Sequence, residues 1–145
     1  MTNRNVFIVH GHDTKALTDL RDILADLGMH PIILKDKPDM GLTIIEKFER
    51  YANGSVFAFV LLTPDDRQAA QEKGLKKFRA RQNVIFEMGW FFHKLGRART
   101  RLVHKGIVEL PSDITGVIYI EFKNEVAEIR EQIRAALFEG GLIEA

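Results

Sequence analysis

The chain has 145 residues, enough for one domain with a proper core, since a chain of this size buries roughly 70% of the surface its unfolded form exposes. It holds no cysteine, which excludes disulfides, thiolate metal sites and thiol nucleophiles and accords with a reducing cytosol. With 21 basic and 20 acidic residues, the net charge of +1 supplies no global attraction to nucleic acid or to an anionic membrane.

The first residues, Met1-Thr2-Asn3-Arg4-Asn5, lead into a short apolar run with no signal-peptide core. No span of about 20 apolar residues follows, so we expect a cytoplasmic protein without a membrane anchor. Val6 to Val9 reads as a buried strand. Thr14 to Leu27 reads as a helix with Leu17, Leu20, Ile23, Leu24 and Leu27 on one face, stopped by Gly28. Pro31 to Leu34 is a second strand and Lys35 to Gly41 a charged loop. Thr43 and Glu46 have capping-box spacing at the start of a helix over Leu42 to Ala52.

Val56 to Leu62 is a continuous apolar run of the kind found at the centre of a parallel sheet covered on both faces. A polar, basic segment from Thr63 to Ala80 precedes a helix over Arg81 to Gly96. A short strand near Arg101 to His104, a turn at Pro111-Ser112-Asp113, a strand over Gly116 to Phe122 and an amphipathic helix over Glu125 to Glu139 complete the chain. This alternation predicts an α/β domain over residues 1–145, with five parallel strands and helices on both faces, because each crossover must be right-handed and cover the sheet. Ligands of such sheets bind beyond the carboxyl ends of the strands. That rule puts the loops His10 to Thr14, Lys35 to Gly41 and Thr63 to Arg81 on one rim, with Glu87 beside them.

Glu87 is the residue to explain, because it sits in the apolar stretch Val84-Ile-Phe-Glu-Met-Gly-Trp-Phe-Phe92. A charge there is paired or used. Burial would raise its pKa, whereas Arg79, Arg81, Arg97 or a bound cation would hold it ionised. Two readings stay open at this point, a site carboxylate and a structural bridge to an arginine. His10-Gly11-His12-Asp13 leaves the first strand and enters the first helix. Asp13 suits an N-cap, Gly11 permits close backbone approach, and the amides are free to meet a phosphate. No other His, Asp or Glu cluster has ligand spacing, so no metal site is expected. Ser112 and Asp113 have no histidine at triad spacing. Trp90, Phe91 and Phe92 read as core. Basic runs at Lys73 to Arg81 and Lys94 to Lys105 flank the Glu87 helix; such runs are usually solvated faces, with a phosphate-binding face as the alternative.

The order of these parts resembles a Toll/interleukin-1 receptor (TIR) domain of the bacterial TIR-like group. The resemblance rests on Val6 to Asp13, Lys35 to Phe48, Leu61-Leu-Thr-Pro64, Arg81 to Gly89 and the tail Leu95 to Gly116. It implies a flavodoxin-like TIR fold and a catalytic glutamate, by position Glu87, for cleavage of NAD+ as substrate with no further cofactor. Family members commonly show Trp-Cys-x-x-Glu where this chain has Asn83 and Val84. The resemblance also implies substrate contacts from His10, Gly11, His12, Asp13 and Arg81. Self-association, up to filaments, would use a loop of Lys35, Asp36, Lys37, Pro38, Asp39 and Gly41. It further implies one module of a longer antiphage, cell-suicide effector with a sensor domain for a cyclic nucleotide. The alternatives are a non-catalytic TIR scaffolding domain and a nucleoside deoxyribosyltransferase-like enzyme.

Overall fold

The strand over Phe57–Leu62 carries an apolar side chain at every position, and all are buried, as a strand covered on both faces requires. The computed structural model describes residues 3–63, 77–79, 82–109 and 119–144, with only the backbone at 77–79, 82 and 107–109. Its elements are β1 (Asn5–Val9), α1 (Thr14–Asp26), β2 (His30–Ile32), α2 (Ile44–Asn53), β3 (Phe57–Leu62), β4 (Lys77–Arg79), α3 (Gln82–Leu95), β5 (Thr100–Lys105), β6 (Ile107–Glu109), β7 (Tyr119–Phe122) and α4 (Arg130–Glu139). Five strands form one parallel sheet in the order β2-β1-β3-β5-β7, with β3 central as the sequence predicts. This is the flavodoxin-like arrangement, whose order reverses between β1 and β3.

Strand alternation divides the core in two. Val6, Ile8, Phe57, Phe59, Leu61 and Val103 pack under α1 and α4, while Phe7, Val9, Ala58, Val60, Leu62 and Leu102 pack under α2 and α3. Burial of each such large side chain contributes roughly 1.5–3 kcal/mol. On the second face Phe7 meets Phe91 at 5.0 Å and Phe48 at 5.6 Å between ring centroids, tying α2 and α3 to β1. Asp13 caps α1 by accepting from the Ala16 N–H at 3.0 Å, and Thr43 with Glu46 forms the reciprocal capping box of α2.

Several expectations need correction. The second strand ends at Ile32, and Leu34–Asp36 is a 3-10 turn, so the loop is partly ordered from its start. The final helix opens as a 3-10 turn over Val126–Ile129, because Glu125 and Glu128 cap it there, and only Arg130–Glu139 is α-helical. A second, two-stranded parallel sheet pairs β4 with β6, which the sequence did not announce because both strands are three residues long. The helix carrying Glu87, though apolar over most of its length, is covered on one side only. Phe86 is 54% exposed, since packing against a sheet covers only the stripe of Val84, Met88 and Phe91. Much of the Thr63 to Ala80 segment, Arg81, the Pro111 turn and the start of the last strand lie outside the described residues.

Candidate active site

β1 and α3 bring the site together. Past the carboxyl end of β1, between α2 and α3, lies a cavity of about 320 Å³. Phe7, Ile8 and His10 form its floor and back, Leu34, Lys35 and Asp39 come from the loop after β2, and Leu42, Ile44 and Lys47 come from α2 and its approach. The opposite wall is Asn83, Val84 and Glu87 of α3. The cavity thus stands at the reversal of strand order, where sheets of this kind bind ligands.

Glu87 is half-buried there, and burial pushes its carboxyl from an ordinary 4.5 up to about 7. No attractive partner offsets that desolvation, so the bridge to an arginine finds no support among the described residues. Arg97 lies in a 3-10 turn past the far end of α3, Arg79 is described only in its backbone, and Arg81 is outside the described residues. A carboxylate that titrates near neutrality inside a cavity has the marks of a working group rather than a brace.

Of the residues expected to contact substrate, His10 lines the cavity, with its Nδ1–H donating to the Gly11 carbonyl at 2.8 Å. Gly11, His12 and Asp13 are not part of the lining, and the Asp13 carboxylate is engaged as the α1 cap. The charged loop divides its roles. Lys35 and Asp39 face the cavity, Lys37 places its ammonium 5.8 Å from the centre of the Tyr51 ring, and Asp36 closes the 3-10 turn by donating its N–H to Ile33. Pro38 and Gly41 are exposed. Among the described residues no His, Asp or Glu cluster could hold a metal ion.

The sequence reading overlooked Lys47. Its side chain is 11% exposed, and its Nζ lies 2.7 Å from Asp39 Oδ1. No spacing marked it, because its neighbour three residues back, Ile44, is exposed, and Lys47 is buried with Phe48 and Ala52 only once α2 packs on the sheet. Trp90 and Phe91 stand edge-on to Phe48 at 5.3 and 5.7 Å and pack with the core as expected, while Phe7 is buried and also lines the cavity. One member of the basic run after α3 is unavailable to a ligand at the cavity. Arg101 is buried and pairs with Glu139 at 3.2 Å at the opposite end of the sheet.

A family model described as CAP12/Pycsar effector protein, TIR domain, matches residues 5–124. The chain belongs to this TIR-domain family. It is 46% identical over 119 residues to the uncharacterized protein YuaY of Escherichia coli, covering 82% of this chain and 40% of that one. It is 31% identical over 138 residues to protein tirC of Dictyostelium discoideum, covering 88% and 69%. Similarity to the Pycsar effector protein PaPycTIR of Pseudomonas aeruginosa is 38% identity over 81 residues, or 54% of this chain and 26% of that one. This TIR domain therefore spans less than half the length of the bacterial relatives. No helix among the described residues is long and apolar enough to cross a membrane.

Proposed function

We propose that this TIR domain is an NAD+ nucleosidase that breaks the nicotinamide–ribose bond, with Glu87 as its catalytic residue. The observation that carries this reading is the half-buried Glu87 carboxylate, without an ion-pair partner among the described residues, facing the cavity between α2 and α3. Cleavage of that bond passes through an oxocarbenium-like state, which an adjacent carboxylate stabilises by charge or through the ribose hydroxyls. The bonding pair leaves with the ring nitrogen and neutralises the pyridinium, so no general acid is needed. Water then adds to the ribose carbon and gives up a proton, releasing nicotinamide, ADP-ribose and H+. One carboxylate is sufficient for this chemistry, which distinguishes it from sites that need a pair.

The domain acts in the cytoplasm as one module of a longer antiphage effector, in which a cyclic nucleotide recognised by another domain triggers self-association. Exposed apolar side chains support association, because Met40, Ile44 and Ile45 stand in water beside the cavity mouth. The same feature favours the second reading, a scaffolding domain without catalysis. Nicotinamide release by Glu87→Gln separates the two. We expect turnover at least about 100-fold below the parent, since lost electrostatic stabilisation of this type is worth roughly 3 kcal/mol. Circular dichroism on the same sample should report an unchanged fold. Undiminished cleavage by the folded variant would remove Glu87 from the mechanism, and absence of cleavage by the parent in its assembled state would leave the scaffold reading.

A further inference from the structure

The Lys47 side chain is nearly buried and lines the same cavity as Glu87, and an ion pair is what makes such burial tolerable. The partner is unequal. The Asp39 side chain is 80% exposed, so it keeps most of its hydration while it contacts Nζ at 2.7 Å, and pairs with one member in water are weak. The turn that delivers Asp39 is also strained. Leu42 N–H donates to Asp39 C=O at 2.9 Å across a turn in which Met40 has φ 51° and Gly41 φ 73°. Positive φ at both central positions is a type I′ turn, unfavourable for a side-chain-bearing residue such as Met40.

We propose that Lys47 is the anion-binding residue of this cavity and that Asp39 holds its place, a carboxylate that a phosphate group of the ligand displaces. A phosphate brings more charge and more acceptor oxygens to Nζ than one solvated carboxylate, so the exchange is favourable. Departure of Asp39 also frees the turn to leave its left-handed conformation. Lys35, from the loop that leads into α2, also lines the cavity and adds a second cation. With Glu87 on the α3 wall, the cavity is cationic on its α2 side and anionic on its α3 side. That polarity suits a ligand with a diphosphate at one end and a cationic ring at the other. The assignment of the ring rests on the nucleosidase reading, whereas the exchange at Lys47 does not.

Titration of the intact domain with inorganic pyrophosphate, followed by calorimetry or amide chemical shifts, tests the exchange without any turnover. Lys47→Met keeps the buried stem and removes the charge. It should weaken pyrophosphate binding at least about tenfold, the size of one lost charge-assisted hydrogen bond. Lys47→Arg should retain binding, and Asp39→Asn should tighten it several-fold by removing the competitor. Equal binding by Lys47→Met and the parent, or no tightening in Asp39→Asn, overturns the proposal. ADP-ribose and nicotinamide riboside identify the source of the phosphate. A dinucleotide diphosphate requires ADP-ribose binding to fall in Lys47→Met as pyrophosphate does, while nicotinamide riboside, which has no phosphate, is unaffected. If ADP-ribose is insensitive to the substitution, the dinucleotide assignment fails. A parent that binds pyrophosphate through Lys47 but never cleaves NAD+ refutes the nucleosidase reading and leaves the exchange standing.

Discussion

Glu87 pays for its position in stability, and pH exposes the cost. Its carboxyl is raised from 4.5 to about 7 by burial, so between those values the folded protein holds a proton that the unfolded chain has released. Stability from this group is therefore complete below about pH 4.5 and is lost as pH rises through about 7. Glu87→Gln mimics the protonated form at every pH. We expect the variant to match the parent near pH 4 and to exceed it by about 1–2 kcal/mol at pH 8, allowing for solvent screening of a half-exposed group. Thermal melts of both proteins at the two pH values read this directly, and a gap independent of pH would contradict it. Catalysis runs the other way, because only the carboxylate stabilises a cation. Under the nucleosidase reading kcat/KM should rise with pH through an apparent pKa near 7 and then level, as the free enzyme titrates. Glu87 was legible in the sequence because a lone charge interrupts an apolar helix. Lys47 was not, since lysines abound on α2-like surfaces and only the packing of that helix buries this one.

At the scale of elements, the placement of Glu87 depends on how α3 is seated. Phe91, fully buried one turn beyond Glu87, packs on Phe7 of β1 and Phe48 of α2. Phe91→Ala should cost about 3–5 kcal/mol in urea unfolding, the range for removing a buried ring and leaving a cavity. The 3-10 turn ahead of α4 depends on a different device. Glu128 accepts from the backbone N–H groups of Lys123, Asn124 and Glu125 at 3.1, 3.0 and 3.0 Å. These amides hold its carboxyl below the usual carboxylate range, so its contribution is present at neutral pH and is lost as pH falls through that depressed pKa. Glu128→Gln should lower the melting temperature at pH 7, and the difference should shrink in acid. A pH-independent difference would show that the charge on Glu128 is irrelevant to the cap.

For the whole molecule, the proposed control is assembly. A domain that destroys NAD+ continuously would kill its cell, so activity should require a second copy. Specific activity of the isolated domain should rise with concentration, as a bimolecular step demands. Identical domains docked head to tail continue into an open filament when the contact does not close. A disabling variant belongs on exposed residues outside the cavity. Asp39 faces the cavity and is unsuitable, whereas Met40 and Ile45 are exposed and lie outside the lining. Met40→Glu combined with Ile45→Glu should reduce activity to that of the dilute parent while leaving Glu87 in place. Constant specific activity over a hundredfold dilution, or parent-like turnover by the double variant, would defeat this account.

The sequence alone determined the architecture, because it is written in local and periodic signals. The buried run at Phe57–Leu62, the 3.6-residue stripes of α1 and α4 and the caps at Asp13 and Thr43 each report their own surroundings. It also singled out Glu87, since a charge among apolar neighbours is anomalous wherever the helix lies. The rim rule had grouped His10, Lys35 and Asp39 with Glu87, but only the tertiary structure decided which rim residues line the cavity and that Lys47 joins them. His10, Lys35, Asp39, Lys47 and Glu87 come from four separate segments, and their convergence follows from strand order and helix seating. The same packing buried Arg101 against Glu139 at the far end of the sheet, leaving one member of a seemingly uniform basic run unavailable to any ligand at the cavity. Charge in a sequence shows what a side chain can do, but burial and neighbours determine its use, and both are properties of the assembled fold.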